Sequence, residues 1–254
     1  MFVLALTSAK GGVGRTTFAA SLATVLAQRG VSVLVLELDP QNALSLHLGA
    51  VQAPANGLAA GVLNGINPLD AALCNADGVY CLPFGQLEPA RLDAFRARVA
   101  REPAWLADPL ANINMNANTV IVLDAPPLPS LLAVQAVRAA DFTLSVILCD
   151  MASVLALDTC ERYHAAVAGS GGFAHVLNQV NPTRPLRRKL ALMLQQRLGK
   201  RLAAPVHQDE SVSDALAQSM TVLQHAPFSQ AAHDFQGLAD WLLEHAQLPA
   251  GRMP

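Results

Sequence analysis

The chain is poor in charge, in rings and in cysteine. Asp, Glu, Lys and Arg make up 14% of its 254 residues, and aromatic residues only 5%. So little charge excludes a chain kept unfolded by its own polarity. A formal net charge of −2 excludes a protein whose whole surface attracts nucleic acid. The four cysteines, Cys74, Cys81, Cys149 and Cys160, form no C-x-x-C pair, and no Cys/His group has zinc-ligand spacing. They read as free thiols, buried or partly buried, in a reducing compartment. The histidines fall in no Ser/His/Asp or H-E-x-x-H pattern. Long apolar runs are also missing. Met1–Leu6, Val31–Leu38, Thr119–Leu123 and Thr143–Cys149 are each far shorter than the roughly 20 residues a membrane-spanning helix needs. The apolar start runs straight into glycines, without a basic region or a small-residue cleavage site. A cytoplasmic protein is expected.

What is present is apolar mass, 52% of the chain, in short runs that alternate with helical spacing. Strands are expected at Phe2–Thr7, Val31–Leu38, Val79–Pro83, Thr119–Asp124, Phe142–Cys149 and Ala174–Val180, with a last short one at Ala204–His207. Helices are expected at Thr16–Arg29, Gln41–Leu48, Glu88–Arg101, Leu131–Ala140, Ala152–Ala168, Leu186–Leu202, Ser211–Ser219 and Gln230–His245. Residues 50–78 read as loops with short helices, and Pro103–Asn118 as partly helical. This order predicts an α/β fold, doubly wound, with a mostly parallel sheet and helices on both faces. No repeat or linker divides it, so residues 1–248 read as one domain, with 249–254 as a loose tail. Ligands in such sheets bind at the carboxyl ends of strands. The glycine loop after Thr7, Asp39, Asp124 and Asn178 all fall there.

The loop reads Lys10-Gly11-Gly12-Val13-Gly14-Arg15-Thr16-Thr17. Its glycines let successive backbone N–H groups converge, and with the following helix N-terminus they make a phosphate site. Thr16 is placed to put its hydroxyl on Mg²⁺, and Thr17 to reach another phosphate oxygen. Ala9 stands where the usual phosphate loop has its first glycine, and Arg15 where it has lysine. An Asp directly after an apolar strand, as at Asp124, suits a carboxylate that holds Mg²⁺ through water. Asp39 can equally cap a helix, and an Asn such as Asn178 is also an ordinary turn residue.

K-G-G-V-G-x-T-T after a first strand resembles the deviant Walker A loop of ParA/MinD-type ATPases. Asp39-Pro40-Gln41-Asn42 and Asp124-Ala125-Pro126-Pro127 resemble further segments of the same family. The resemblance implies ATP and Mg²⁺ as cofactors, held by Gly11 to Thr17, with Thr16, Asp39 and Asp124 around the metal. It implies that Asp39 orients the attacking water and that Lys10 reaches across an ATP-dependent homodimer to the partner's phosphates. Asn178 matches the family's adenine-reading position. The stretch Pro205–Asp209, with His207, matches its second adenine-contacting loop, mainly through backbone. Here Glu37 replaces a frequent Asp, and the glycine between Gln41 and Asn42 is missing.

Two stretches, Leu82-Pro-Phe-Gly-Gln-Leu87 and Pro205-Val-His-Gln-Asp-Glu210, look like the BcsQ family of cellulose-biosynthesis proteins. That resemblance implies a role in assembling or placing a cellulose secretion complex, with a small BcsR-like accessory protein as partner. It also implies a place at the inner membrane or a cell pole reached through partners.

Arg15 changes the expectation for turnover. Arginine is longer and planar, and its exchange for a lysine point charge is not conservative. ATP binding with slow or absent hydrolysis is expected. The basic stretch Arg184, Arg187, Arg188, Lys189, Arg197, Lys200, Arg201 would support a partition ATPase acting on DNA or membrane. Overall charge and the lack of aromatic residues there favour a solvated helix face instead. A small-molecule kinase or ligase on the same scaffold would need a polar substrate pocket, and the sequence shows none. The C-terminal helix has no Lys or Arg on its polar face, which favours core packing over membrane binding.

Overall fold

A strand that is apolar at every position needs cover on both faces. In the computed structural model, which describes residues 1–52 and 54–248, β1 (Phe2–Thr7) has it. Leu4 and Leu6 point into one buried cluster, Val3 and Ala5 into another. After β1 the chain enters α1 (Arg15–Gln28), then β2 (Ser32–Glu37), α2 (Leu44–His47) and α3 (Leu58–Asn64). It continues through β3 (Leu73–Cys74), β4 (Tyr80–Leu82), α4 (Pro89–Arg101), α5 (Ala107–Ala111), β5 (Thr119–Asp124) and α6 (Leu131–Ala139). Last come β6 (Phe142–Leu148), α7 (Met151–Val167), β7 (Gly172–Asn178), α8 (Pro185–Leu198), α9 (Ser211–Ala217), α10 (Val222–His225) and α11 (Gln230–His245).

The strands form one seven-stranded sheet in the order β3-β4-β2-β5-β1-β6-β7. All neighbours are parallel except β3 and β4. This is the doubly wound fold expected. β1 sits between β5 and β6, so the chain leaves it toward β2 on one side and later returns to the other. That reversal opens a crevice beyond the carboxyl end of β1. The register fixes what lines it: Leu6 stands opposite Asp124, and Glu37 opposite Asp124 on the other side.

One face of the sheet is covered by α1 and α11, where Phe18 meets Phe235 edge-on with ring centroids 5.0 Å apart. Phe235, Leu238 and Leu242 are buried there, so the C-terminal helix does pack into the core. The other face carries α3 to α6, with Phe95 edge-on to both Phe84 and Trp105. Among the described residues no helix is long and apolar enough to cross a membrane. The four cysteines are free; Cys81, Cys149 and Cys160 are buried and Cys74 is exposed.

Several boundaries differ from expectation for visible reasons. Residues 204–207 form no strand. Only single bridges, His175 to Leu202 and Val180 to His207, link this segment to β7, because Pro205 has no N–H to give a ladder. α2 begins at Leu44 rather than Gln41, since Asn42 takes a left-handed φ of 57°. α8 stops at Leu198, where Gly199 turns with φ 51°. The two-residue β3 is exposed at both positions and has no hydrophobic alternation to announce it. α10 is a single turn marked by Gln224, whose side chain accepts from the Thr221 N–H at 2.8 Å. The expected tail at 249–254 lies outside the described residues.

Burial of His47 gives the fold a pH dependence. Desolvation lowers its pKa to about 4. A histidine held neutral stabilises the fold above its unfolded pKa and loses that contribution as pH falls toward the folded one. In His47→Leu this loss is absent. Urea unfolding at pH 7 and pH 5 should show the parent losing about 2 kcal/mol more than the variant between the two.

Candidate functional site

The loop between β1 and α1 is shaped by its glycines. Gly12 and Gly14 have φ of 71° and 94°, which side-chain-bearing residues rarely adopt. At Gly14 space is missing too: a Cβ would stand 2.5 Å from Nδ2 of Asn178. Gly14 is the N-cap of α1, with no side-chain cap and no acidic residue in the first turn. The first N–H groups of a helix lack intrahelical partners, and here they face the crevice with the positive end of the helix dipole. Gly11 and Gly12 are exposed with no neighbouring atom in the way of a ligand.

Across the crevice lie carboxylates. Asp124 ends β5 and is fully buried; the Thr16 hydroxyl stands near it, but neither of its oxygens makes a hydrogen bond of normal geometry. Burial raises its pKa to about 6, although Arg15 and the Thr16 hydroxyl act against the rise. Asp39 follows β2. Its Oδ1 accepts from the Gln41 N–H at 3.0 Å, so it shapes the turn before α2 rather than capping the helix. Glu37 is buried on β2, and its Oε1 accepts from the Leu44 N–H at 2.8 Å. Glu37 therefore caps α2 from a distance, a reach the shorter Asp does not have. Burial, more than anything else, raises its pKa to about 8.

Arg15 turns inward among these acids. Its Nη1 donates to Ser8 Oγ at 2.7 Å and its Nη2 to Asp39 Oδ2 at 3.3 Å. Its Nε is buried without a partner. Burial lowers the Arg15 pKa, offset by the fields of Asp124 and then Asp39. Lys10 goes the other way and pairs with Asp150 at 2.7 Å, both ends partly exposed. Asp150 also caps α7 by accepting from the Ser153 N–H at 2.7 Å. Burial works against the charge on Asp150, but the bonds to Lys10 and Ser153 prevail and hold its pKa below the usual carboxylate value.

Asn178, the last residue of β7, donates from Nδ2 to the Val13 carbonyl at 2.8 Å, and its Oδ1 accepts from the Gln179 N–H at 2.8 Å. The amide keeps one N–H and one lone pair, the pattern that pairs with the N7 and N6 edge of adenine. The neighbouring segment is fixed by buried Asp234 of α11. Its Oδ2 accepts from the His207 backbone N–H at 2.7 Å and lies 2.9 Å from Nδ1 of that ring. Its Oδ1 accepts from Gln230 at 2.8 Å. Pro205 and Val206 follow beside β7, where the Val206 N–H donates to the Leu177 carbonyl at 2.8 Å.

The site thus gathers Lys10 to Thr17, Asp39, Asp124 and Asn178 at the carboxyl end of the sheet, with the 205–209 segment adjoining β7. A phosphate chain with a divalent cation fits it. The bare helix N-terminus suits the anion, and an orphaned buried carboxylate beside a threonine hydroxyl suits a hard cation. Among the described residues no three His, Cys, Asp or Glu side chains form a cage, so such a cation would take its other ligands from phosphate and water. Sequence reasoning missed Ser8, Asn42, Asp150 and Asp234 as supports. Asn42 bridges by donating to the Pro54 carbonyl and accepting from the Gly85 N–H. It explains the Leu82–Leu87 motif: this stretch is sewn to Asn42 and to the start of α3 through Leu58, Ala59 and Gly57.

Comparison with known proteins agrees with this geometry. The family model described as cellulose biosynthesis protein BcsQ matches residues 1–243. The chain belongs to the BcsQ family. Among curated relatives, the cellulose biosynthesis protein BcsQ of Salmonella typhimurium is 28% identical over 255 residues, covering 96% of this chain and 95% of that protein. The chromosome-partitioning ATPase Soj of Thermus thermophilus is 30% identical over 265 residues, covering 96% of each. The chain is thus also similar to the ParA/Soj chromosome-partitioning ATPases. The cell division ATPase MinD of Pyrococcus furiosus has the same fold, with a TM-score of 0.80 at 22% identity over 96% of this chain and 98% of that one.

Two of the loop's three glycines mark the extremes, Gly14 constrained in both backbone shape and space and Gly11 in neither. Gly14→Ala should destabilise the fold by roughly 2 kcal/mol or more, through positive φ and the collision with Asn178. Gly11→Ala, which meets no atom within 4 Å, should unfold within about 1 kcal/mol of the parent. Thermal unfolding of the two variants checks this.

Proposed function

We propose that this chain binds ATP with Mg²⁺ at Lys10–Thr17 and works as a nucleotide-dependent homodimeric switch or scaffold with slow or absent hydrolysis. Residues 1–248 act as one ATPase domain. The observation that carries the reading is the uncapped N-terminus of α1 close to the fully buried carboxylate of Asp124, whose oxygens lack hydrogen-bond partners of normal geometry. Gly11 to Thr17 hold the phosphates through backbone N–H groups and the threonine hydroxyls. Asp124, Thr16 and Asp39 hold the metal, which supplies charge neutralisation at the phosphates when bound. Asn178 reads the base, with the 205–209 segment beside it. Solved relatives of the same fold, such as MinD of Pyrococcus horikoshii complexed with Mg-ADP, make the nucleotide a natural choice.

Slow turnover follows from Arg15. A longer, planar guanidinium stands where the phosphate loop has a lysine point charge, and its donors are directed to Ser8 and Asp39. Lys10 supports the dimer. Among the described residues its ammonium is anchored only to partly exposed Asp150, beside exposed Met151 and Leu155 at the start of α7. An ammonium held at the surface can be transferred to a phosphate of a second copy.

The biological setting follows the family name: a cytoplasmic protein that supports assembly or placement of a cellulose synthesis and secretion complex, with a small BcsR-like protein as partner. Any contact with the inner membrane or a cell pole is made through such partners. DNA partition is the competing role. It is disfavoured because Arg197 and Arg201 of the basic stretch are already paired with Asp158 and Glu161.

Light scattering with ATP and Mg²⁺ should show a dimer for the parent and a monomer for Lys10→Ala. Phosphate release by the parent should exceed the Asp39→Ala background only slightly. Rapid turnover would remove the slow-hydrolysis reading, and a parent that stays monomeric would remove the switch. Retention on DNA at low salt that is lost as salt rises would favour partition.

A further inference from the structure

Parallel strands β2 and β5 deliver Glu37 and Asp124 to the same level of the sheet, and Asp39 follows two residues later. All three are buried. Carboxylates gathered out of water are costly unless a positive charge stands among them. Among the described residues, the cation buried with them is Arg15, whose side chain is only 8% exposed. It feels Asp124 and Asp39 together. Its donors reach Ser8 and Asp39, while its charge acts on Asp124 without a hydrogen bond.

We infer that Arg15 is a tethered counter-ion of this site: its guanidinium pairs with Asp39 and offsets the buried charge of Asp124, the carboxylates a divalent cation would use, so that metal and Arg15 compete for them. The fit is serviceable and leaves something over. The contact to Asp39 is 3.3 Å, longer than the 2.7–2.9 Å or so of a well-seated charge-assisted bond. Arg15 Nε and both oxygens of Asp124 remain without hydrogen-bond partners although buried. A smaller, doubly charged ion brings water or phosphate oxygens with it and would satisfy groups the arginine leaves bare. A metal that took Asp39 and Asp124 would leave the guanidinium free to meet phosphate.

This inference rests on the reading of the loop as a nucleotide and metal site, but its test needs no nucleotide. Thermal unfolding is followed for the parent and Arg15→Gln in EDTA and in millimolar Mg²⁺ or Mn²⁺ alone. The parent should shift by less than about 1 °C. Arg15→Gln should melt several degrees lower in EDTA and regain roughly that loss as metal saturates it. Adding Asp124→Asn to Arg15→Gln should abolish the regain. A metal response in Arg15→Gln no larger than the parent's overturns the counter-ion. If Arg15→Gln does not fold without metal, Arg15→Lys carries the same test: its metal-dependent gain should exceed the parent's, and an equal gain overturns the inference. Binding of a fluorescent ATP analogue to the same proteins is measured separately. No binding by any of them would refute the nucleotide site while leaving the metal response to stand or fall alone.

Discussion

The structure turns on a charge problem at the ends of two adjacent parallel strands. β2 and β5 are apolar on both faces, so their carboxyl ends are as dry as their middles. Yet the chain places Glu37, Asp39 and Asp124 there. Burial raises the pKa of Glu37 to about 8 and of Asp124 to about 6, and Glu37 spends one oxygen on the start of α2. Asp39 and Asp124 are left to Arg15. The site is therefore acidic on one wall, faced by the N-terminus of α1 on the other, with the buried Arg15 guanidinium between. Such a layout is suited to exchanging an internal charge for an external ligand.

The surroundings hold this arrangement still. Asn178 locks the loop from β7 and forbids a side chain at Gly14. Ser8 takes one end of the guanidinium while its backbone carbonyl accepts from the Leu128 N–H at 2.7 Å, joining the loop to the segment after β5. Asp234 and Asp209 tie the 205–211 stretch to the start of α11, Asp209 by accepting from the Ala231 and Ser211 N–H groups. The ligand walls thus come from four strand ends and are braced by helices on both sheet faces.

Much of this was legible from residues alone. β1 and β5 were delimited correctly because an apolar run with a sharp polar or glycine end has one good solution in a doubly covered sheet. The loop glycines spoke through backbone geometry, and Asp124 through its place after a strand. What stayed hidden depends on contacts far apart in the chain. Nothing near Lys10 announces Asp150, 140 positions away, and nothing near His207 announces Asp234. Arg15 was readable as an unusual residue, but its inward turn depends on where β2 and β5 end relative to one another. Asn42 filled the left-handed position that a glycine more often takes, so the missing glycine did not mean a missing turn.

The most direct measurement is hydrogen–deuterium exchange of the parent protein with and without ATP and Mg²⁺. The account predicts slowed exchange concentrated in the backbone amides from Lys10 to Phe18, with weaker protection around Asn178 and the 205–209 segment. Unchanged exchange across the loop at saturating nucleotide, or protection confined to another face of the sheet, would contradict it.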